Sequence, residues 1–501
     1  MGKKRKHGLL KRFLDSKKEY PVLAAVAAGL YPLFFYYSRN FTMIDSWVHL
    51  GYFLVLFLFG PILVFMLWNW IFTLLLNLRW KKYVLPFLNI FVFLFFLKMI
   101  LYGGLQKKMT IVIFIIAGLI AFFLYKYFKK WLLVQLLLAV VGFLALIPVI
   151  IQNFTYSDAW TQLPDAIQQV AFKQKPNVYY IQPDGYSSIS ELKKGYYNFD
   201  NTEFEVFLSQ NHFKSYPNFR SNYDATLASN SATFAMKHHL YSGSTNSGEV
   251  TRARNIILSD NSVLRVFKKN GYKTYFFTEF PYLMMNRPKM GYDFSNFSYS
   301  DVPFLGTGLE NKKDILPEFR KVLGERSFSG PKFFFIEIFN PKHIDGSSWG
   351  DNLVKRKRSE YLENLHKANE TIKSLTHEIL KNDPNALILI MADHGGYVGM
   401  ERLQQGNVKT ADRDKVFSIF GSLLSIHWSK EEIPRYDDKL KTSVNVFRIL
   451  FSYLSRNTSY LDHLETDSSY GVITEGASDG VYELINENDS LVFRMVRGIK
   501  R

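Results

Sequence analysis

Two stretches of the chain end in side chains that can do chemistry. Residues 386–396 read A-L-I-L-I-M-A-D-H-G-G, an aliphatic run that closes on Asp393 and His394. Residues 177–186 read N-V-Y-Y-I-Q-P-D-G-Y and bring Asp184 to the end of a second apolar run. Both runs have the composition of strands covered on both faces. In a parallel sheet the C-terminal strand ends share one edge, and open α/β sheets bind ligands there. Two carboxylates and an imidazole at that edge form a donor set suited to Zn²⁺ or Mn²⁺. The plainer reading of Asp393-His394 is a charged pair in a strand-exit turn.

Between these runs lies 221–236, S-N-Y-D-A-T-L-A-S-N-S-A-T-F-A-M, which is rich in hydroxyls and opens a helix. A hydroxyl at a helix N-terminus can bind a metal, lose its proton and attack phosphorus, with helix amides facing the developing charge. Thr226 is the best candidate for that role. Its plainer reading is a helix cap.

The elements that must position these groups follow from periodicity. Strands are expected at 177–182, 274–278, 333–338, 386–391 and 416–420. Helical patterns intervene at 201–210, 262–270 and 359–382. Strands alternating with helices predict an α/β domain with a largely parallel central sheet. The last fifty residues, with 470–473 and 491–495, add small antiparallel strands. The sequence shows no internal repeat and no low-complexity tract.

The 501 residues are 48% hydrophobic and 17% aromatic, and the excess lies in the first 150 residues. That half reads with the bilayer as its solvent. Five spans are expected, at 21–37, 47–76, 83–101, 110–128 and 131–151, each near or above the roughly 17–25 residues a helix needs to cross. The second is long and contains Pro61, which predicts a kink or tilt. The net charge of +17 sits largely beside apolar runs, as at Lys3, Lys4, Arg5 and Lys6 and at Arg79, Lys81 and Lys82. It therefore reads as topology signal and attraction to a membrane surface, with no call for nucleic acid. The N-terminal arm and the loops with Lys81 and Lys126 form the basic majority, which faces the cytoplasm. Five spans then place the C-terminal domain outside. Lys98, near the end of the third span, is expected to snorkel to the outer face. The absence of cysteine excludes disulfides, Cys-ligated zinc and a Cys nucleophile.

The expected organisation is a transmembrane domain (1–151), a juxtamembrane connection (152–176) and an extracytoplasmic catalytic domain (177–501). Within the connection, Trp160, Leu163, Ile167, Val170 and Ala171 fit either a helical face lying on the membrane or a plain linker helix.

Taken in order, P-N-V-Y-Y-I-Q-P-D-G-Y (176–186), S-N-Y-D-A-T (221–226), I-L-I-M-A-D-H-G (388–395) and T-S-V-N-V-F-R-I-L (442–450) resemble the lipoteichoic acid synthase-type branch of the alkaline phosphatase/sulfatase superfamily. The resemblance covers nearly the whole chain. It implies that Asp184, Asp393 and His394 hold a divalent metal, Mn²⁺ or Zn²⁺. It implies that Thr226 is the nucleophile and also meets the metal. His343, in F-N-P-K-H, lies near the position of a substrate-binding histidine, one residue off the usual Pro-His order.

The implied reaction moves a phospholipid-derived head group, glycerophosphate or phosphoethanolamine, onto a cell-surface glycan or lipid at a bacterial cytoplasmic membrane. The partners are then a phospholipid donor and a surface acceptor. Three alternatives stand beside it. A formylglycine sulfatase would need a C/S-x-P-x-R motif, which the chain lacks. A phosphodiesterase would use the same Thr and metal with water as acceptor. A non-catalytic relative would keep the fold alone.

Overall fold

A computed structural model of the chain describes residues 9–75, 78–104, 106–242, 248–325, 329–344 and 352–498. The basic residues at 3–6 lie outside these, as does the side chain of Arg79. The chain divides into two compact units. One holds residues 1–155 with 285–287 and 303–307; the other holds 156–284, 288–302 and 308–501.

The first unit is helical. Among the described residues, four stretches are long and apolar enough to cross a membrane: Pro21–Ile44, Trp47–Phe72, Trp80–Tyr102 and Lys107–Thr161. The two last expected spans both fall in the fourth stretch, which holds helices Lys107–Leu124 and Phe128–Thr155 around a 3-10 turn at Tyr125–Tyr127. The irregularity expected at Pro61 is a π-helical turn, Val55–Phe59, just before it. Lys98 does not extend to a surface as expected. It is buried, and its Nζ donates to Thr110 Oγ1 at 3.0 Å.

The second unit is built on a seven-stranded sheet. Its strands are β1 (Val178–Pro183), β2 (Phe213–Ser215), β3 (Lys273–Thr278), β4 (Phe294–Ser295), β5 (Lys332–Ile338), β6 (Leu387–Met391) and β7 (Leu424–His427). Their order is β2-β7-β6-β1-β5-β3-β4. The central pairs β1/β5, β1/β6 and β3/β5 are parallel, and β7 runs antiparallel beside β6 and β2. One face carries Tyr179, Ile181, Phe334, Ile336, Ile388 and Ile390 in a core with Leu365, Ile372 and Ile379 of the helix Leu353–Asn382. On the other face Tyr180 and Phe335 meet Phe234 and Phe447. Cover on both sides is why these strands are continuous apolar runs. A second sheet, β8 (Ser469–Ile473), β9 (Gly480–Ile485) and β10 (Leu491–Gly498), is antiparallel in the order β10-β9-β8.

Two expectations are corrected. Residues 416–420, read as a strand, lie in the helix Arg413–Phe420. The Asp412 side chain accepts from the amides of Asp414 and Lys415, an N-cap that outweighs the β-like composition of the segment. The helix expected within 158–171 is two short 3-10 turns, Ala159–Thr161 and Ile167–Gln169. Of its apolar residues Ile167 and Val170 are buried, and Phe172, just after them, packs on Phe267 and Phe451.

Candidate active site

Asp184, Asp393, His394 and Thr226 sit at strand or helix ends, and His343 lies in the loop after β5. Asp184 follows β1, whose last residue pairs with Ile338 of β5. The turn after it is held from both sides: Asp184 N donates to Ile338 O at 2.9 Å, and Lys342 N donates to Asp184 O at 2.8 Å. Gly185 has φ +66, and a Cβ there would stand 2.8 Å from His343 N and from Lys342 C. Only glycine lets the β1 exit and the loop of His343 run this close.

Asp393 and His394 follow β6. The next amide, Gly395 N, donates to Ile419 O at 2.6 Å, and a Cβ on Gly395 would meet Ser418 O at 2.3 Å. The helix Arg413–Phe420, misread as a strand, is thus the wall that fixes the His394 turn.

Thr226 is the first residue of the helix Thr226–Ala235. Its N-cap is Ala225 in extended conformation, and no side chain caps the helix. The segment leading into it is clamped. Ser221 N donates to Phe420 O at 2.7 Å, Ser469 Oγ donates to Ser221 O at 2.6 Å, and Tyr470 N donates to Asn222 O at 2.8 Å. The small C-terminal sheet therefore helps to place Thr226.

These elements bring four of the five expected residues into mutual contact. Thr226 Oγ1 lies 3.4 Å from Asp184 Oδ1, toward which it donates, and 3.3 Å from His394 Nε2. His394 Nε2 lies 3.5 Å from Asp184 Oδ1 and 3.4 Å from Asp393 Oδ2. The donor atoms of Asp184, Asp393 and His394 all fall within 4.8 Å of one another, and all three residues are buried. His343 stands beside them, its ring centre 5.9 Å from that of His394.

The donor set fits a divalent cation. Asp393 Oδ1 accepts from Gly185 N and His394 N, at 3.1 and 3.0 Å, which leaves Oδ2 buried with no hydrogen-bond partner. His394 Nδ1 lies 2.8 Å from Gly395 O. A carbonyl can only accept, so Nδ1 carries the proton and Nε2 presents a lone pair. Burial, and then the Asp393 carboxylate, push the Asp184 carboxyl up to about 7. Burial works against a charge on His394, but the Asp393 and Asp184 carboxylates outweigh it and raise that group. Two carboxylates crowded in a low-dielectric pocket call for a cation between them.

Thr226 and His394 line a cavity of about 310 Å³, together with Asp224, Tyr282, His343 and Tyr397. His343 is pushed down by burial and by His394. Its Nδ1 lies 2.9 Å from Ile344 O, so its Nε2 also presents a lone pair.

Sequence reading passed over Asp224, whose carboxylate accepts from Tyr241 Oη at 2.5 Å and whose carbonyl accepts from Tyr397 Oη. It also passed over Glu337, buried in β5 and holding Thr278 Oγ1 at 2.9 Å. Burial raises that carboxyl well above its ordinary range. An acid inside an otherwise apolar strand, F-F-F-I-E-I, was the signal available for Glu337. Asp224 had none beyond its place two residues before Thr226.

Residues 207–416 match the family model described as Sulfatase. The match takes in Thr226, His343, Asp393 and His394. The second unit thus carries a segment that matches the sulfatase family model.

Among solved structures, the chain is similar to the C-terminal periplasmic domain of EcEptC from Escherichia coli, at 12% identity over 64% of this chain and 96% of that one, with a TM-score of 0.42. It is similar to the lipoteichoic acid synthase LtaP from Listeria monocytogenes, at 14% identity over 65% and 90%, with a TM-score of 0.41. The lipooligosaccharide phosphoethanolamine transferase A of Neisseria meningitidis, an integral membrane protein, is similar over 86% of this chain and 95% of its own, at 12% identity and a TM-score of 0.38. No curated protein sequence matches significantly.

Proposed function

We propose that the chain is a metal-dependent, membrane-anchored phosphotransferase with Thr226 as its nucleophile. One observation carries the reading: Thr226 Oγ1 lies between Asp184 Oδ1 and His394 Nε2, at 3.4 and 3.3 Å, at the start of an uncapped helix and on a cavity wall. Asp184, Asp393 and His394 would hold Mn²⁺ or Zn²⁺, with the Thr226 oxygen beside them. The bound ion would lower the pKa of the Thr226 hydroxyl and polarise a phosphoryl oxygen.

The donor is a phospholipid. Thr226 Oγ1 attacks its phosphorus in line, and the bond from phosphorus to the diacylglycerol oxygen breaks. The head group stays on Thr226 as a phosphodiester, and the Thr226 proton leaves on the diacylglycerol hydroxyl. Amides of the first turn face the charge that builds on the phosphoryl oxygens. In the second step an acceptor hydroxyl on a surface glycan or lipid displaces Thr226. His343 binds that substrate, and its Nε2 lone pair suits it to accept the hydroxyl proton.

The reading places five spans in a bacterial cytoplasmic membrane with the catalytic domain outside. The four long apolar stretches support it. The transferred group is glycerophosphate or phosphoethanolamine.

The test is intact mass. Wild type and Thr226→Ala are incubated with Mn²⁺ or Zn²⁺ and mixed bacterial phospholipids, with no acceptor. An adduct on wild type alone, mapped to Thr226, supports the nucleophile, and its mass names the head group. Head-group release that needs Thr226 but leaves no adduct makes the protein a phosphodiesterase. With neither release nor adduct, the catalytic reading falls.

A further inference from the structure

The first unit carries a cavity of its own, of about 240 Å³, among the helices Leu78–Tyr102, Lys107–Leu124 and Phe128–Thr155. Ile90, Ile120, Leu124 and Val134 give it an apolar wall. Tyr125, Tyr127, Lys130 and Trp131, from the 3-10 turn and the start of the last helix, complete one end. Leu124, Tyr127 and Val134 are exposed, so the cavity opens on the outside of the helices. On helices that span a bilayer, exposed apolar side chains face acyl chains, and aromatic and basic residues at the helix ends lie at head-group level. This cavity joins the two depths.

Three lysines gather at its polar end. Lys130 lines the cavity, Lys126 sits between the two lining tyrosines, and Lys82 Nζ lies 3.4 Å from Tyr125 Oη and 4.7 Å from the centre of that ring. All three are exposed. Their neighbour Lys129 is used differently: its Nζ donates to Phe13 O at 2.9 Å and to Ser16 O. The sequence holds no Asp or Glu between Asp45 and Asp158. Among the described residues, Lys82, Lys126 and Lys130 make no ion pair. An orientation signal asks for lysines on one side of the membrane, but not for three of them around the mouth of one apolar cavity.

We infer that this cavity binds one anionic glycerophospholipid, with part of an acyl chain against Ile90, Ile120, Leu124 and Val134 and the head-group phosphate among Lys82, Lys126 and Lys130. The inference rests on the first unit spanning a membrane, and not on the Thr226 site. A soluble anion would use the lysines and leave the apolar wall uncovered. A zwitterionic lipid would bring its own cation among the three ammonium groups. In the proposed topology this end of the spans lies in the cytoplasmic leaflet, so the lipid is a retained ligand and not the donor consumed outside.

The experiment uses the full-length protein carrying Thr226→Ala, so that no lipid is consumed, in a neutral detergent. Phosphatidylglycerol and phosphatidylcholine with the same chains are added at equal concentration, and the lipid retained per protein is counted by native mass spectrometry. Phosphatidylglycerol is expected in excess by about tenfold or more. A lysine near a membrane surface is worth about fivefold in such binding. Lys82→Gln, Lys126→Gln and Lys130→Gln together should therefore bring the ratio close to parity. Ile120→Trp fills the cavity and leaves the lysines in place, and should lower phosphatidylglycerol retention by about tenfold or more.

Equal retention of the two lipids by the parent protein overturns the inference. So does a ratio in the triple variant that stays within about twofold of the parent. Full retention in Ile120→Trp also overturns it, because the lipid is then held at the surface by charge alone. A competition on the parent protein covers the case of a misfolded variant. Long-chain phosphatidylglycerol should displace the bound lipid, whereas glycerophosphoglycerol, the same head group without chains, should not. Displacement by the free head group removes the acyl pocket, and equal displacement by phosphatidylcholine removes the role of the lysines. Head-group turnover by the wild type is measured separately, so a failure of the Thr226 reading leaves this result intact.

Discussion

Gly185 and His343 touch through their backbones, with the absent Cβ of Gly185 only 2.8 Å from the His343 nitrogen. The contact links the turn that carries a candidate metal ligand to the loop that carries a candidate substrate residue. Gly185 also donates its amide to Asp393 Oδ1 at 3.1 Å, so three expected residues depend on it. Gly185→Ala adds a Cβ at φ +66 and a clash with backbone that has no flexible end to move. The expected cost is roughly 1–3 kcal/mol of stability, measured by urea unfolding, with weaker divalent metal binding in the same variant. Unchanged stability and metal affinity would mean that the two loops do not need this approach.

Removal of any one candidate ligand should empty the metal site. Asp184→Ala, Asp393→Ala and His394→Ala each take a donor from a set of three. Affinity should fall by more than the roughly 10–100-fold that outer partners contribute to such sites. Metal content after gel filtration, read by mass spectrometry, decides it; full occupancy in all three variants would sink the site.

The same carboxyl sets a pH dependence. Asp184 is raised to about 7 in the metal-free fold, above its ordinary carboxylate value, so the folded state holds a proton that the unfolded chain has lost. Its contribution to stability is present at low pH and is lost as pH rises through about 7. A cation needs the ionised form and competes with that proton. The rise in melting temperature on adding Mn²⁺ should therefore be largest above pH 7 and shrink as pH falls below it. Thermal unfolding with and without Mn²⁺ from pH 5.5 to 8.5 checks this, and a Mn²⁺ effect that grows on acidification contradicts it.

The legible parts of the fold were those where one physical rule acts alone. Strands β1, β3, β5 and β6 are largely apolar because both faces of the sheet are covered, and the expected ranges lie within a residue of Val178–Pro183, Lys273–Thr278, Lys332–Ile338 and Leu387–Met391. Asp184, Asp393 and His394 were legible because they are polar residues at the ends of such strands. Val416 to Phe420 has strand-like composition, but the decisive signal was Asp412, four residues upstream, which caps a helix. Ile167 and Val170 suggested a membrane-facing stripe, yet they are buried in the second unit, where long-range packing decides their use. Asp224 was not legible, because its setting depends on Tyr241 and Tyr397, distant in sequence.

Arg220 should matter more through its neutral partners than through its ion pair. It is 1% exposed, and it donates to Asp467 O at 2.7 Å, Asn486 O at 2.8 Å and Ser469 Oγ at 2.9 Å. Its charged partner, Asp489, is 55% exposed, so that pair adds little in water. Arg220→Ala leaves two carbonyls without their donor next to the segment that leads to Thr226, at an expected cost of about 2–5 kcal/mol. Asp489→Ala should cost less than about 1 kcal/mol. Urea unfolding of both variants separates the two contributions; equal costs would assign the weight to the ion pair instead. Arg220→Lys should not restore stability, because an ammonium cannot reproduce the guanidinium fork.

The outward placement of the second unit is testable because the chain has no cysteine. Single cysteines can be introduced with no background thiol to mask. Lys126 lies by the turn between the helices Lys107–Leu124 and Phe128–Thr155, and Lys381 lies in the second unit; both are exposed. In the proposed topology the excess of Lys and Arg on the side of Lys126 puts that turn in the cytoplasm. In intact cells a membrane-impermeant maleimide should label Lys381→Cys and leave Lys126→Cys unlabelled until the cells are opened. The opposite pattern would put Thr226 in the cytoplasm, away from any surface glycan, and the proposed acceptor would fall with it. Labelling of both in intact cells would mean that these two positions share one side, which an odd number of crossings between them cannot give.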